Sequence, residues 1–188
     1  MEQIFFIIDQ AQLTDMQSSK KTFRKDERAD ITHHILLTLI DSPLNKSKKM
    51  KIFINTTNNI LIDVNPNIRI PRTYSRFQGL FKQLFKNLKI KSNDGEILMK
   101  IIKGPVESYL PPNIRKVGLS QDGEKISKEK ISHNIENGYC FYVNAISKGT
   151  EENFKDLYMM IKVSNFALSG ATAISKICFM LEDILGIF

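Results

Sequence analysis

The sequence predicts a single α/β domain, and three observations predict it. Ile4 to Ile8 is an unbroken apolar run of strand length, the pattern of a strand covered on both faces of a parallel sheet. Stretches of helical periodicity then alternate with short β-like runs as far as Leu185. Finally, 188 residues suffice for one well-buried core, so one domain over residues 1–188 is favoured over two. Apolar and charged fractions of 42% and 25% are those of an ordinary globular protein, which excludes disordered and fibrous classes.

In chain order, the polar residues 9–27 read as a flexible connection. Arg28 to Lys46 (R-A-D-I-T-H-H-I-L-L-T-L-I-D-S-P-L-N-K) reads as a helix that ends before Pro43, with Ile31, Ile35, Leu36 and Leu39 as its buried stripe. Asp30 either caps this helix or holds the Arg28 guanidinium in one orientation. His33 and His34 are adjacent, about 100° apart on a helix, and cannot chelate one ion together, so they read as structural. Lys51–Ile54 and Ile60–Val64 flank N-T-T-N-N and form a hairpin or neighbouring strands. The strand ending at Val64 enters a loop stiffened by Pro66 and Pro71, then a helix bearing Leu80, Phe81, Leu84, Phe85 and Leu88.

Ser92–Gly95 is a turn, Ile97–Ile102 an apolar element, and R-K-V-G-L-S-Q-D-G after Pro111-Pro112 a loop with glycines at 118 and 123. Tyr139–Ala145 and Tyr158–Val163 are strands. S-N-F-A-L-S-G-A-T-A then opens a helix through Leu185, with Ser164 and Asn165 suited to cap it and small residues (Ser169, Gly170, Ala171, Ala173) leaving room for a ligand or another backbone. Its apolar face (Ile174, Ile177, Cys178, Leu181, Ile184, Leu185) is core or dimer interface.

A net charge of +7 points toward an anionic partner. Arg69, Arg72 and Arg76 crowd the strand-to-helix junction, where guanidiniums and helix N-terminal amides together suit a polyanion backbone, RNA above all. Lys82, Lys86, Lys89 and Lys91 read as a solvated face. No apolar run approaches the ~20 residues of a membrane span, and the opening I-F-F-I-I lacks the flanks of a signal peptide. Cys140 and Cys178 have no partner motif, which suits a reducing, intracellular setting. The chain has no nucleophile elbow, Walker loop, H-E-x-x-H helix or spaced cysteine ligands, which argues against hydrolase and metal chemistry. A strand-loop-strand-loop-helix series near the C-terminus, of a shape that could cradle an adenosyl cofactor by backbone groups, together with a basic loop upstream, suggests group transfer onto RNA.

Several strings carry a family resemblance: D-I-T-H-H-I-L-L-T-L-I-D-S-P-L-N-K (Asp30–Lys46), I-L-I-D-V-N-P-N-I-R-I-P-R-T-Y-S-R-F-Q-G-L (Ile60–Leu80), K-V-G-L-S (Lys116–Ser120) and Ser164–Ile187. In one collinear order they resemble the nucleolar essential protein family, SPOUT-class pseudouridine methyltransferases of small-subunit ribosome biogenesis. The resemblance implies an α/β SPOUT fold with a mostly parallel sheet, a C-terminal trefoil knot within residues 139–188, S-adenosylmethionine as cofactor, and a homodimer formed through the knot region. It implies small-subunit rRNA and small-subunit assembly factors as partners, no membrane, and the nucleolus as location in a eukaryote, otherwise the cytoplasm. By the same resemblance Arg28, Arg69, Arg72 and Arg76 contact rRNA, with Arg28 near the target base and steadied by Asp30. The cofactor positions carry over to Leu119, Asn144, Gly149 and Val163 through Leu168 (Val163, Ser164, Asn165, Phe166, Ala167, Leu168).

The chain departs from the family pattern at Asn144, usually glycine, at Lys148, usually histidine, and at Ala29 and Ala167, usually proline. Asn144, Lys148 and Ala167 motivate a second expectation, a catalytically weakened assembly factor that clamps rRNA. A third, a knotted methyltransferase acting on tRNA, is the least favoured.

Overall fold

The N-terminal apolar run becomes β1 (Ile4–Ala11), near the middle of an eight-stranded sheet. A computed structural model describes residues 3–17, 27–147 and 156–188. After β1 come α1 (Thr14–Gln17), α2 (Ala29–Asp41), α3 (Pro43–Lys46), β2 (Met50–Thr56), β3 (Leu61–Val64) and α4 (Tyr74–Asn87). Then follow β4 (Lys89–Lys91), β5 (Ile97–Ile102), β6 (Arg115–Lys125), α5 (Lys128–Ser132), β7 (Tyr139–Asn144), β8 (Met159–Lys162) and α6 (Gly170–Leu185). The strands lie in the order β4-β5-β3-β2-β1-β7-β6-β8. From β2 to β8 every pairing is parallel, while β3, β5 and β4 add antiparallel strands at one edge.

The alternation of β1 explains its unbroken apolar run. Ile4, Phe6 and Ile8 join the main core with Ile35, Leu36 and Leu39 of α2, Phe77, Phe81 and Leu84 of α4, and Ile174, Ile177 and Leu181 of α6. Phe5 and Ile7 point the other way, into a smaller cluster with Phe53, Val106, Cys140 and Tyr142. Both faces of β1 are therefore dry, and each fully buried Ile or Phe contributes roughly 1.5–3 kcal/mol of transfer free energy. Cys140 and Cys178 are buried free thiols, and burial pushes each up to about 12.

Several expectations need correction. The connection read over 9–27 starts later, because apolar Ala11, Leu13 and Met16 bury themselves and carry the chain through the end of β1 into α1; residues 18–26 lie outside the described residues. The stripe of α4 is Phe77, Phe81 and Leu84, whereas Leu88 is the left-handed C-cap, at φ 62°, and is exposed. The segment read as a glycine loop after Pro112 is the long strand β6. It is a strand because β7 and β8 both pair with it, and its register breaks between Leu119 and Glu124. Ile161 of β8 pairs with Leu119 and again with Glu124, so residues 120–123 wrap around it. Gly123 sits where that crossing is tightest: a Cβ there would stand 2.6–2.8 Å from the Ile161 backbone. The trefoil knot that the resemblance implies within residues 139–188 would involve the link from β7 to β8, whose residues 148–155 lie outside the described residues.

The last helix also starts later than expected. Ser169 caps α6, accepting from the Thr172 amide at 3.2 Å, while Ser164 accepts from the Phe166 amide at 3.0 Å in a turn of its own. Residues 164–168 are thereby kept out of the helix and free to line a cavity.

Candidate active site and RNA-facing loop

Helix α2 carries one functional pair at its start. The Arg28 amide donates to Gln12 Oε1 at 3.0 Å, which holds the helix entry beside the carboxyl end of β1. From there the guanidinium donates through Nε and Nη2 to Asp30 Oδ1 and Oδ2, both at 2.9 Å, a bidentate pair of fixed geometry. Arg28 is itself the N-cap position, so Asp30 lies inside the helix and makes no cap; of its two expected roles it takes the orienting one. The hydrogen bond from Arg28 holds the Asp30 carboxyl below the ordinary aspartate value, so it stays ionised. The Arg28 side chain remains half exposed.

The arginine loop is fastened to α2 and α3 at two points. Asn45 Nδ2 donates to the carbonyls of Ile40 and Pro66, at 3.1 and 3.0 Å. His33, 2% exposed, has Nε2 2.6 Å from the Pro71 carbonyl and stacks on Phe77 at 4.4 Å between centroids. Ile40 and His33 are seven residues apart, roughly 10 Å along the helix, so the loop is drawn back along α2 toward its N-terminal half. Buried Ile68 and Ile70 pin the loop while Arg69 between them faces out. Arg72 donates to Asp41 at 2.8 Å, and Arg69, Arg72 and Lys46 line one cleft. Arg76 is exposed on the first turn of α4. The sequence reading of His33 as structural missed its service to the loop, and Lys46 went unread.

Beyond the carboxyl ends of β6, β7 and β8 lies a cavity of about 410 Å³, the place where open α/β sheets bind ligands. Of the cofactor positions expected, Leu119, Asn144, Val163, Ser164, Phe166 and Leu168 line it. Asn165 and Ala167 belong to the same segment without lining the cavity, and Gly149 lies outside the described residues. The reading missed Ser120, Gln121, Val143, Ile146, Ser147, Ile161, Lys162, Gly170 and Ala173, which also line it. Gly170 and Ala173 had drawn notice only as small residues. Gly170 is confined, since a Cβ there would stand 3.0 Å from Ile35 of α2 and 3.4 Å from Val143. Helix α2 thus packs beside the cavity, carries Arg28–Asp30 and braces the arginine loop.

The donor set fits an adenosyl cofactor. Leu119, Val143, Ile161 and Leu168 give apolar walls that suit a purine. Asn144 Oδ1 is buried without a hydrogen-bond partner among the described residues, an acceptor that a bound ligand would satisfy. Among the described residues no group of three or more His, Cys, Asp or Glu could hold a metal ion, and no helix is long and apolar enough to cross a membrane.

Residues 2–182 match the family described as EMG1/NEP1 methyltransferase. The chain belongs to that family. Among EMG1/NEP1 relatives, the ribosomal RNA small subunit methyltransferase NEP1 of Candida albicans is 44% identical over 168 residues, covering 87% of this chain and 62% of the relative. The corresponding mra1 protein of Schizosaccharomyces pombe is 44% identical over 165 residues, covering 85% of this chain and 46% of its own length. The chain therefore spans about half to three-fifths of these two relatives. The crystal structure of Archaeoglobus fulgidus Nep1 bound to S-adenosylhomocysteine superposes with a TM-score of 0.79 at 19% identity, covering 99% of this chain and 100% of that one. That likeness shows the same fold, a mostly parallel sheet with flanking helices.

Proposed function

We propose that this EMG1/NEP1 chain is an S-adenosylmethionine-dependent methyltransferase that modifies ring nitrogen N1 of a pseudouridine in small-subunit rRNA and acts in small-subunit biogenesis. The observation that carries the reading is the cavity at the β6–β7–β8 ends, six of whose lining residues are expected cofactor positions, with helix α2 linking it to the arginine set. The relatives' names, and the S-adenosylhomocysteine held by the archaeal structure, support it.

Leu119, Asn144, Ser164 and the walls around them hold the cofactor, which supplies an electrophilic methyl group. Arg69, Arg72 and Arg76 grip the RNA backbone and fix the base relative to the cavity. Arg28, kept cationic and aimed by ionised Asp30, stabilises negative charge that develops on the base as its N1 proton leaves. Phe166, 80% exposed at the cavity, offers a ring face on which a base extruded from its stack can rest. A homodimer through the C-terminal region, assembly with small-subunit factors and residence in the nucleolus complete the proposal.

Transfer of labelled methyl to an rRNA hairpin carrying pseudouridine, against the same hairpin carrying uridine, tests it. Label should enter only the pseudouridine RNA; label in neither RNA, or in both, would contradict the assignment. A second reading, an rRNA clamp with little or no transfer, is favoured by the Asn144 side chain, which lines the cavity at a position the resemblance gives to glycine. Under it, RNA binds but S-adenosylhomocysteine does not.

A further inference from the structure

A second cavity, of about 440 Å³, opens on the other face of the sheet. Ile7, Val106 and Tyr142 line it, members of the smaller core cluster to which α2, α4 and α6 contribute no residue. It lies at the carboxyl ends of three parallel strands, with Asp9 from β1, Asn55 from β2 and Tyr142 from β7. The strand order reverses there: the chain leaves β1 for β2 on one side and returns later as β7 on the other. Crevices at such a reversal are where open α/β sheets place ligands. The cofactor cavity, on β6, β7 and β8, shares no lining residue with this one.

Asp9 is the second, independent observation. It lines this cavity and is only 9% exposed. Its Oδ1 accepts from Asn55 Nδ2 at 2.8 Å, and it forms no ion pair among the described residues. Burial above all holds its carboxyl above the ordinary aspartate value; the Asn55 hydrogen bond opposes that rise, and the charge of Glu107 adds to it. A neutral acceptor would keep the Asn55 bond without desolvating a charge, so the fold alone gives no reason for a carboxylate here. What it lacks is a cation. Beside it stand the aliphatic walls of Ile7, Val106 and Leu157, and at the rim the half-exposed side chain of Glu107, 3.6 Å from Lys116 Nζ.

We propose that this cavity is a binding site for an aliphatic diamine, with one ammonium group on Asp9, the hydrocarbon chain along Ile7, Val106 and Leu157, and the second ammonium group toward Glu107. An ammonium has three donors and no acceptor, and the side-chain oxygens of Asp9, Asn55 and Tyr142 surround the inner position with acceptors. Among the described residues no three of His, Cys, Asp or Glu gather to hold a metal ion, which favours an organic cation. The inference rests on the fold and not on the methyl-transfer reading.

Calorimetric titration of the RNA-free protein with putrescine, butylamine and magnesium chloride tests it. Putrescine should bind saturably at one per chain, and more tightly than butylamine, which has a single ammonium group. Asp9→Asn should weaken both amines about tenfold or more and raise the melting temperature of the ligand-free protein, because a buried charge without a counter-ion is removed. Glu107→Gln, at an exposed residue, should bring putrescine down to the affinity of butylamine, and it decides the matter if Asp9→Asn fails to fold. No heat with either amine at millimolar concentration overturns the site, as does putrescine binding that neither substitution alters. Equal affinity of wild type for the two amines, or magnesium that displaces putrescine, overturns the diamine as its ligand. None of these readouts involves S-adenosylhomocysteine or RNA, so failure here leaves the proposed function standing.

Discussion

The bidentate pair Arg28–Asp30 joins two side chains that are both substantially exposed, so its value lies in aim more than in stability. Asp30→Asn should leave the melting temperature nearly unchanged while methyl transfer falls about 10- to 100-fold, the range expected when a reacting partner is misplaced by an ångström or less. The folded-state carboxyl is lowered from 3.8, so the pair's contribution is complete at neutral pH and is lost only as pH falls through that lowered value. Methyl transfer by wild type, which depends on the ionised Asp30, should therefore not lose this contribution between pH 7 and pH 5, and thermal melts should show wild type and Asp30→Asn alike to within a small, constant offset over that range. His33 is the opposite case, almost wholly buried and bonded to a carbonyl 38 residues away. His33→Ala removes that bond and the stack on Phe77, and should cost about 2–4 kcal/mol in denaturant unfolding, with weaker RNA binding as the loop loosens. His33 was legible as structural, but a partner so distant in sequence leaves no local trace, and Pro71 could not have been named.

Helices and strands with one clean apolar pattern were readable: the apolar stripes of β1, α2 and α6 are buried as periodicity put them, though β1 runs on past its stripe and α6 starts later than read, because burial of those stripes decides their structure. Elements decided by a neighbour were not. Strand β6 looked like a glycine loop because its pairing comes wholly from β7 and β8, and Gly123 is glycine for the sake of the Ile161 backbone. Gly123→Val should thus prevent the wrap and yield insoluble or poorly ordered protein by circular dichroism, since a Cβ at 2.6 Å from backbone cannot be relieved by a rotamer change. Gly79 predicts the reverse: Gly79→Ala meets open space and should stabilise the protein by about 0.5–1 kcal/mol in chemical unfolding. The start of α6 was misplaced because Ser164 and Ser169 are both competent caps in sequence. Only the cavity shows why the chain stays out of the helix until the second.

At the scale of the molecule, helix α2 unites the parts. Its N-terminus orients Arg28, its middle packs on Gly170 beside the cavity, and its buried His33 holds the arginine loop. Arg69, Arg72 and Arg76, which the fold leaves exposed, and six of the residues that line the cavity were named in the sequence through its family resemblance. The other walls of the cavity, such as Ile146 and Lys162, come from strand ends that only folding assembles. The claim on which the rest depends is that this cavity holds an adenosyl cofactor despite the Asn144 side chain at its lining. Calorimetric titration with S-adenosylhomocysteine tests it most directly: saturable binding at one ligand per chain, weakened when Leu119 or Leu168 is replaced by a charged residue, is the expected outcome. No heat of binding at millimolar ligand, or binding indifferent to those replacements, would contradict it.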